Sequence, residues 1–426
     1  MQVNIMIDKP SAQDKETMPL EVDIAIVGAG MVGAALAAAL GQTNYKLAII
    51  DAQSEQSLLR EVHSSSRVED FEPRVSALTL ASQTLLRDAG AWPLMPKQLI
   101  QPYRKMRVWD QLGTAEIVFD AAEIYQDALG CIVENQVIVS ALQKVLQTQS
   151  NLQRFYGQPI DAINLLSDTD SQHCLTLANG QQIQCRLLVA ADGASSRIRQ
   201  WAGIATREWD YQHSAIVCTV QTEKAHELTA WQRFSETGPV AFLPLSDADS
   251  SQRFCSIVWS QDTERAKYLM AMDDASFQAA LEKEIEARLG KLSAVSRRDA
   301  FPLRQRHAKT YVKPGLVLAG DAAHTIHPLA GQGVNLGFKD VKALAEILKK
   351  AESQHLDVND MLLLKRYQRQ RQGDNLLMMG AMEGFKQLFS QPDPIVRWLR
   401  NAGLDWVNKQ TFLKNQIAKQ AMGLHL

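Results

Sequence analysis

The stretch VDIAIVGAGMVGAALAAAL, Val22 to Leu40, decides the fold. Val22 to Val27 reads as a strand, and from Ile24 on it is an apolar run without alternation, as expected of a strand buried on both faces of a parallel sheet. Gly28-Ala29-Gly30-Met31-Val32-Gly33 breaks the run, and a small-residue helix follows. In this GxGxxG spacing Gly28 allows a tight turn, Gly30 leaves the backbone open to a pyrophosphate, and Gly33 lets helix and strand pack closely. A second strand, Lys46 to Ile50, ends at Asp51, eighteen residues after Gly33, where a carboxylate is needed for the ribose hydroxyls of an adenosine. Strand, turn, helix and acid together predict an α/β, dinucleotide-binding domain of Rossmann type.

Two further turns of glycine and acid stand at the ends of apolar runs. RLLVAADGASSRIRQWAGI, Arg186 to Ile204, ends its strand at Asp192-Gly193 and continues into a polar segment with Arg197 and Arg199. Asp192 would seat polar groups, and Arg197 would hold a phosphate. GLVLAGDAAHTIHPLAGQGVNLGF, Gly315 to Phe338, has a short buried strand, the pair Gly320-Asp321, a loop broken by Pro328, and a helix from Val334 to Lys350. That arrangement aims backbone N–H groups and the positive end of a helix dipole at whatever lies before Gly331 to Asn335. Asp321, an acceptor only, suits a hydroxyl of a ribose or ribityl chain better than a phosphate. His324 and His327 in the same loop read as structural hydrogen bonders, and no side chain declares itself a catalytic base.

Between these stations the pattern varies. In EPRVSALTLASQTLLRDAGAW, Glu72 to Trp92, Ser76 is placed to cap a helix reaching Ala89, with Gly90 as its stop and Arg74 in the loop before it. Glu134 to Leu146 reads as a helix with Asn135 near its start. From His213 to Trp259 the segments are β-rich and punctuated by turns, which predicts a separate antiparallel sheet. Phe242, Pro244 and Trp259 are the pocket candidates on it, with core packing as the competing reading. Ala275 to Leu289 has helical amphipathicity. The nucleotide domain is thus expected to be discontinuous, 20–200 and 300–352, around a β-rich substrate domain at 205–299, with a helical region at 355–426.

The chain has 426 residues and a formal net charge of −2, which gives no general attraction to nucleic acid. Its five cysteines, Cys131, Cys174, Cys185, Cys218 and Cys255, form no CxxC pair, so neither a disulfide framework nor a metal site is expected, and a reducing cytoplasm is the simplest compartment. The polar first twenty residues do not read as a secretory signal, and no membrane-spanning helix is expected. In Ile395 to Leu426 the cations Arg397, Arg400, Lys409, Lys414 and Lys419 face one acid, Asp405, while Trp406, Leu413, Ile417, Ala421 and Leu424 keep helical spacing. A helix packed on the body, or peripheral contact with an anionic membrane or a partner protein, both fit.

Taken together, GAGMVG, ADGASSRIR and GDAAHTIHPLAGQGVNLG resemble the three stations of the flavoprotein aromatic hydroxylases with the para-hydroxybenzoate hydroxylase fold. The resemblance covers nearly the whole chain after residue 20. The last station is similar to that of the hydroxylases of ubiquinone biosynthesis. PYRKMRVWD, EIVFDAAE, TGPVAFLPL and LKRYQRQRQGDN resemble those acting on a 3-methyl-6-methoxy-1,4-benzoquinol with a polyprenyl tail.

The resemblance implies FAD as cofactor, NADPH or NADH as reductant, O2 as co-substrate, and ring hydroxylation through a C4a-hydroperoxyflavin. It assigns the turn Gly28, Ala29, Gly30, Met31, Val32 and Gly33 to the FAD pyrophosphate and Asp51 to the adenosine ribose. The family often has Glu at that position, and the shorter arm still reaches a hydroxyl. Arg74 and Asn135 fall at flavin-contacting positions. Asp192 serves FAD and the passing NADPH, with Arg197 near it. Gly320 and Asp321 take the ribityl chain, and Pro328, Gly331, Gly333, Val334 and Asn335 present backbone to the isoalloxazine. A hydrophobic quinol is the implied partner, the oligomeric state stays open, and the remaining alternatives are a flavin hydroxylase of another phenol or an FAD-binding scaffold subunit.

Overall fold

The computed structural model describes residues 18–111, 116–166, 172–325 and 333–390, together with 410, 414–416, 419 and 422. The strand Leu20–Val27 lies inside an eight-stranded sheet. Its parallel neighbours are Gln182–Ala190 on one side and Leu47–Asp51 on the other. Leu152–Tyr156 and Leu316–Leu318 extend the parallel set outward, and Val312–Lys313 closes one edge antiparallel. Ile24, Ile26, Ile49, Leu187 and Val189 are completely buried. Each such side chain contributes about 1.5–3 kcal/mol relative to exposure, which is why the central strands carry no polar alternation.

The helix Met31–Ala39 packs between Asn135–Gln147 and Gly333–Ser353, and Met361–Ser390 packs on the last of these. Contact with the sheet is close because Gly33 has no side chain: a Cβ there would lie 1.9 Å from the Gly28 carbonyl oxygen. A three-stranded sheet of Val75–Leu78, Gly130–Glu134 and Ile100–Tyr103 lies beside this domain. The helix expected from Ser76 begins later than predicted. Ser76 to Leu78 pair with Val133, Ile132 and Cys131 as strand, and Thr79 caps the helix Leu80–Asp88 by accepting from Ser82 N. A tertiary strand partner therefore overrides the nearer capping residue.

A nine-stranded sheet forms the second layer. Its spine is the antiparallel set Asp299–Ala308, Thr206–Thr222, Phe254–Asp262, Val240–Pro244 and Thr229–Phe234. This sheet is wider than the expected 205–299 segment. Lys105–Asp110 pairs parallel with Thr229–Phe234, and Glu116–Asp120 pairs with Lys105–Asp110 in turn. No local periodicity announces a parallel pairing between strands so far apart in sequence. The helices Thr263–Met270 and Asp274–Glu284 cover one face. The second ends earlier than the expected Leu289, because Glu286 and Ala287 take positive φ angles of 56° and 49°.

At the carboxyl end, Lys414 is buried and its Nζ meets Glu123 Oε2 at 2.7 Å, while Met422 packs with Ala121, Ile124 and Leu129. One of the five expected basic-face cations is thus spent inside the fold. Arg397, Arg400 and Lys409 lie outside the described residues, as do Trp406, Leu413, Ile417, Ala421 and Leu424.

Candidate active site

The three turns meet at the carboxyl ends of adjacent parallel strands. Ala191 N donates to Val27 O at 2.8 Å, and Ala319 N donates to Ala190 O at 2.9 Å, so the second turn lies between the first and the third. Val32 supplies the remaining contact, since a Cβ on Gly320 or Gly337 would lie 2.9 or 2.6 Å from its Cγ2. The crevice beyond the carboxyl ends of parallel strands is where α/β sheets hold ligands.

Each glycine of the first turn has a separable role. Gly28 has φ +102°, and a Cβ there would lie 2.3 Å from Ala191 O. Gly30 has an extended backbone and leads the helix, yet a Cβ on it would meet no protein atom within 4 Å. Only a ligand brought close to that backbone would need the missing side chain. Asp51 accepts from Ala29 N at 2.6 Å and from Gln53 N at 2.7 Å, one bond to each oxygen. The two bonds fix its carboxylate at the strand end and leave lone pairs for hydroxyls.

Asp192 accepts from Arg197 N at 2.9 Å on Oδ2, at the start of the short helix Arg197–Trp201 that Ser196 caps. Its Oδ1 is buried and has no hydrogen-bond partner among the described residues. A buried acceptor left open calls for a donor from water or a ligand. Burial raises its carboxyl above the ordinary value, against the hydrogen bonds from Ser196, Ile198 and Arg197. Arg197 itself is exposed and stacks over the Trp201 ring at 4.4 Å.

Arg199 does more structural work than Arg197. It is 3% exposed, and its guanidinium donates to Ala194 O and to Ala322 O, each at 2.8 Å, tying the second turn to the third. Its place two residues beyond Arg197 in a polar run gave no sign of this.

Asp321 is exposed to solvent. Protein around it raises its carboxyl above the ordinary value, with the positive potentials of His324 and Arg74 opposing and Asp340 adding. Arg74 is exposed, lies over Phe301 at 5.9 Å, and offers its carbonyl to Asn135 N at 3.0 Å. Arg74 and Asn135, sixty-one residues apart, are therefore neighbours. The Asn135 side chain accepts from Ser76 Oγ at 2.6 Å.

Gly333 opens the long helix, and a Cβ on it would also meet nothing within 4 Å. Asn335 is buried: its Nδ2 donates to Ala77 O at 2.8 Å and its Oδ1 accepts from Ser82 Oγ at 2.6 Å. Its side chain is a strut to the three-stranded sheet, which leaves only backbone to face a ligand. Pro328 and Gly331 lie outside the described residues, as does His327. His324 is 2% exposed and bonds Asp340 Oδ2 at 2.6 Å, the structural role its loop predicted.

The pocket candidates fall on the wrong face. Phe242 and Trp259 are fully buried with Phe277 and Leu281 beneath the covering helices, and strand alternation puts Pro244 on the same side as Phe242. They are core. The opposite face presents Ala230, Ala241 and Leu243, which with Ala77, Tyr103 and Met106 line a narrow apolar cleft against the three-stranded sheet. Trp259→Ala is accordingly expected to lower stability by about 3–5 kcal/mol while the affinity for a phenolic ligand is unchanged; ligand titration beside a urea melt separates the two.

The open side of Gly30 and the unpartnered Asp192 oxygen fit a nucleotide cofactor. The protein comparisons agree. The family model described as FAD binding domain matches residues 96–373. The 3-demethoxyubiquinol 3-hydroxylase of Escherichia coli (strain K12) is 40% identical over 404 residues, covering 94% of this chain and 98% of that protein. The human ubiquinone biosynthesis monooxygenase COQ6, mitochondrial, is 35% identical over 441 residues, covering 93% and 91%. Among solved structures, p-nitrophenol 4-monooxygenase PnpA from Pseudomonas putida superposes with a TM-score of 0.74 at 17% identity, covering 95% of this chain and 98% of that one. PqsL from Pseudomonas aeruginosa gives 0.72 at 20%, covering 90% and 99%. The turns, the sheet order and the relatives converge: the chain belongs to the FAD binding domain family and is an FAD-dependent aromatic hydroxylase that uses NAD(P)H and O2.

Proposed function

We propose that this chain hydroxylates the ring of a polyprenylated benzoquinol in ubiquinone biosynthesis, with a 3-methyl-6-methoxy-1,4-benzoquinol as substrate. The observation that carries this reading is the apolar cleft beside the cofactor turns. Ala77 lines it and at the same time gives its carbonyl to Asn335, two residues into the cofactor-side helix. Met106, Ala230, Ala241 and Leu243 supply walls without charge, which suit a methylated, methoxylated ring, although the cleft as it stands has room for little more than one water molecule and must widen to admit a ring. Tyr103 and Gln232 are the polar exceptions, and burial holds the Tyr103 phenol well above the ordinary value, so it meets a quinol as a neutral hydroxyl. The name of the 40% identical relative from Escherichia coli supports the same substrate.

In this reading residues 20–200 and 300–352 hold FAD, and 205–299 with the strands from 105–120 forms the roof over the ring. Gly28 to Gly33 admit the pyrophosphate, Asp51 takes ribose hydroxyls, and Asp321 and Asp192 take hydroxyls of the ribityl chain. Bound FAD supplies the redox chemistry with oxygen. The protein's part is to orient the ring and keep water away from it. Backbone N–H groups at the start of Gly333–Ser353 favour negative charge on whatever faces them. A quinol is already electron-rich through its hydroxyls, and among the described residues of this constellation the one histidine, His324, is bound to Asp340.

Product analysis tests the assignment. With NADPH, O2 and a short-tailed demethoxyquinol, the purified protein is expected to yield a product heavier by one oxygen. NADPH oxidation that stays at its substrate-free rate would exclude that substrate. Ala241→Phe, which fills the cleft, is expected to raise KM for the quinol about tenfold or more with FAD content unchanged. An unaltered KM would remove the cleft from the substrate path.

The helix Met361–Ser390 exposes Leu362, Leu376 and Leu377, and its exposed stripe also carries Lys365, Arg366 and Arg369. No helix among the described residues is long and apolar enough to cross a membrane. This mixed basic and apolar stripe supports peripheral contact with an anionic lipid surface where a hydrophobic quinol would be met. Co-sedimentation with phosphatidylglycerol vesicles reads it, and absence of binding at low salt would end the idea.

A further inference from the structure

Behind the Gly320-Asp321 turn lies a buried charged cluster that no local sequence pattern announced. Asp340, on Gly333–Ser353, is completely buried. Its Oδ2 accepts from Gly320 N at 2.9 Å and pairs with His324 Nε2 at 2.6 Å. Its Oδ1 accepts from Arg371 Nε at 2.7 Å. Arg371 is 2% exposed and comes from the helix Met361–Ser390. The rest of its guanidinium reaches Asp374 Oδ2 and, at 3.0 Å, Asn375 Oδ1. Asn375 in turn donates to the Tyr311 hydroxyl at 3.1 Å, and Tyr311 stacks on His324 with ring centroids 5.9 Å apart.

We propose that Arg371 is a positioning residue for the flavin site, holding through Asp340 the turn that presents Asp321. The proposal rests on the reading that Asp321 takes a cofactor hydroxyl.

A buried ion pair contributes little stability compared with apolar packing in the same space, so a role in geometry is the better account of this one. The planar guanidinium fork meets three acceptors in fixed directions, which an ammonium cannot do. Asp340 is thereby oriented toward the Gly320 amide. Gly320 stands at φ +60°, a left-handed conformation, and Asp321 follows it directly. Without Arg371 the carboxylate retains Gly320 and His324 alone and can rotate toward the histidine. The Gly320 amide then loses its fixed acceptor, and the Asp321 carboxylate moves with the turn.

FAD affinity of the full-length apoprotein, read by quenching of flavin fluorescence, tests this in a double-mutant cycle of Arg371→Met and Asp321→Ala. Each single variant is expected to raise Kd about tenfold or more. If Arg371 acts through Asp321, adding Arg371→Met to Asp321→Ala changes Kd by less than about twofold. Fold-changes that multiply would show a general structural role and overturn the proposal, as would Arg371→Met with wild-type affinity. Unchanged affinity in Asp321→Ala overturns the reading of Asp321 and the proposal with it, an outcome distinct from failure at Arg371 alone. Should Arg371→Met not fold, Arg371→Lys keeps the cation without the fork. The same coupling to Asp321→Ala is expected from it, and multiplication of its effect would again overturn the role.

Discussion

Gly30→Val is expected to give a folded, colourless protein, whereas Gly33→Val, three residues on, gives no folded protein. The backbone at Gly30 has φ −69° and ψ −170°, which a β-branched residue adopts without strain, and a Cβ there meets no protein atom within 4 Å. The fold therefore tolerates valine. On the proposed reading the cofactor does not, because the side chain would occupy the space through which the FAD pyrophosphate approaches the helix start.

At Gly33 the conflict is internal. A Cβ would lie 1.9 Å from the Gly28 carbonyl oxygen and 3.2 Å from Ile26 Cγ2, so the helix must leave the sheet. The helix Met31–Ala39 buries Ala34, Ala35, Leu36 and Ala37, and separating it exposes the centre of the main core. Urea melts and the flavin absorbance of the purified proteins check both halves. Gly30→Val should melt with flavin-stripped wild type, since it lacks only the stabilisation that bound FAD adds. A yellow Gly30→Val protein would remove the first turn from the cofactor site, and a soluble, cooperatively melting Gly33→Val protein would contradict the packing.

What the sequence made legible follows the range over which each signal acts. The parallel strands, the three turns and the separate roles of Gly28, Gly30 and Gly33 are local: continuous apolar runs broken by glycine, each bounded by an acid. Their convergence follows from strand order alone, since Gln182–Ala190 and Leu316–Leu318 are successive neighbours of Leu20–Val27. The errors lie where tertiary partners decide. Alternation in Val240–Pro244 shows that two faces differ but not which one meets the cofactor domain, so the large aromatic Phe242 suggested a pocket that the smaller Ala241 and Leu243 line. Ser76 was a plausible cap until Val133 took it into a sheet. Lys105–Asp110 joined the second sheet through a long-range parallel pairing. Arg199, Asp340 and Arg371 were missed because a charged residue in a helix reads as solvated, and only the assembled fold shows it buried.

Asp340→Ala is expected to lower stability by about 3–5 kcal/mol. The substitution leaves Arg371, 2% exposed, with its Nε facing a cavity, and takes from His324 and the Gly320 amide their shared acceptor. Arg371 keeps its ion pair with Asp374 and its bond to Asn375, both on its own helix, but its Nε loses its acceptor where water cannot reach it. The pH dependence carries the sign of the interaction. Burial alone would raise the Asp340 carboxyl, but His324 and Arg371, through charge and hydrogen bonds, outweigh it and hold the group below the ordinary carboxylate value. A depressed folded-state value means that this increment is fully present above the unfolded carboxylate range, about pH 4, and is lost as pH falls through the folded value. Urea midpoints at saturating FAD should therefore separate wild type from Asp340→Ala most at neutral pH and bring them together in acid. A gap that persists unchanged to the lowest pH at which both fold would mean that the loss comes from packing and not from the charge, and the electrostatic account of the cluster would fail.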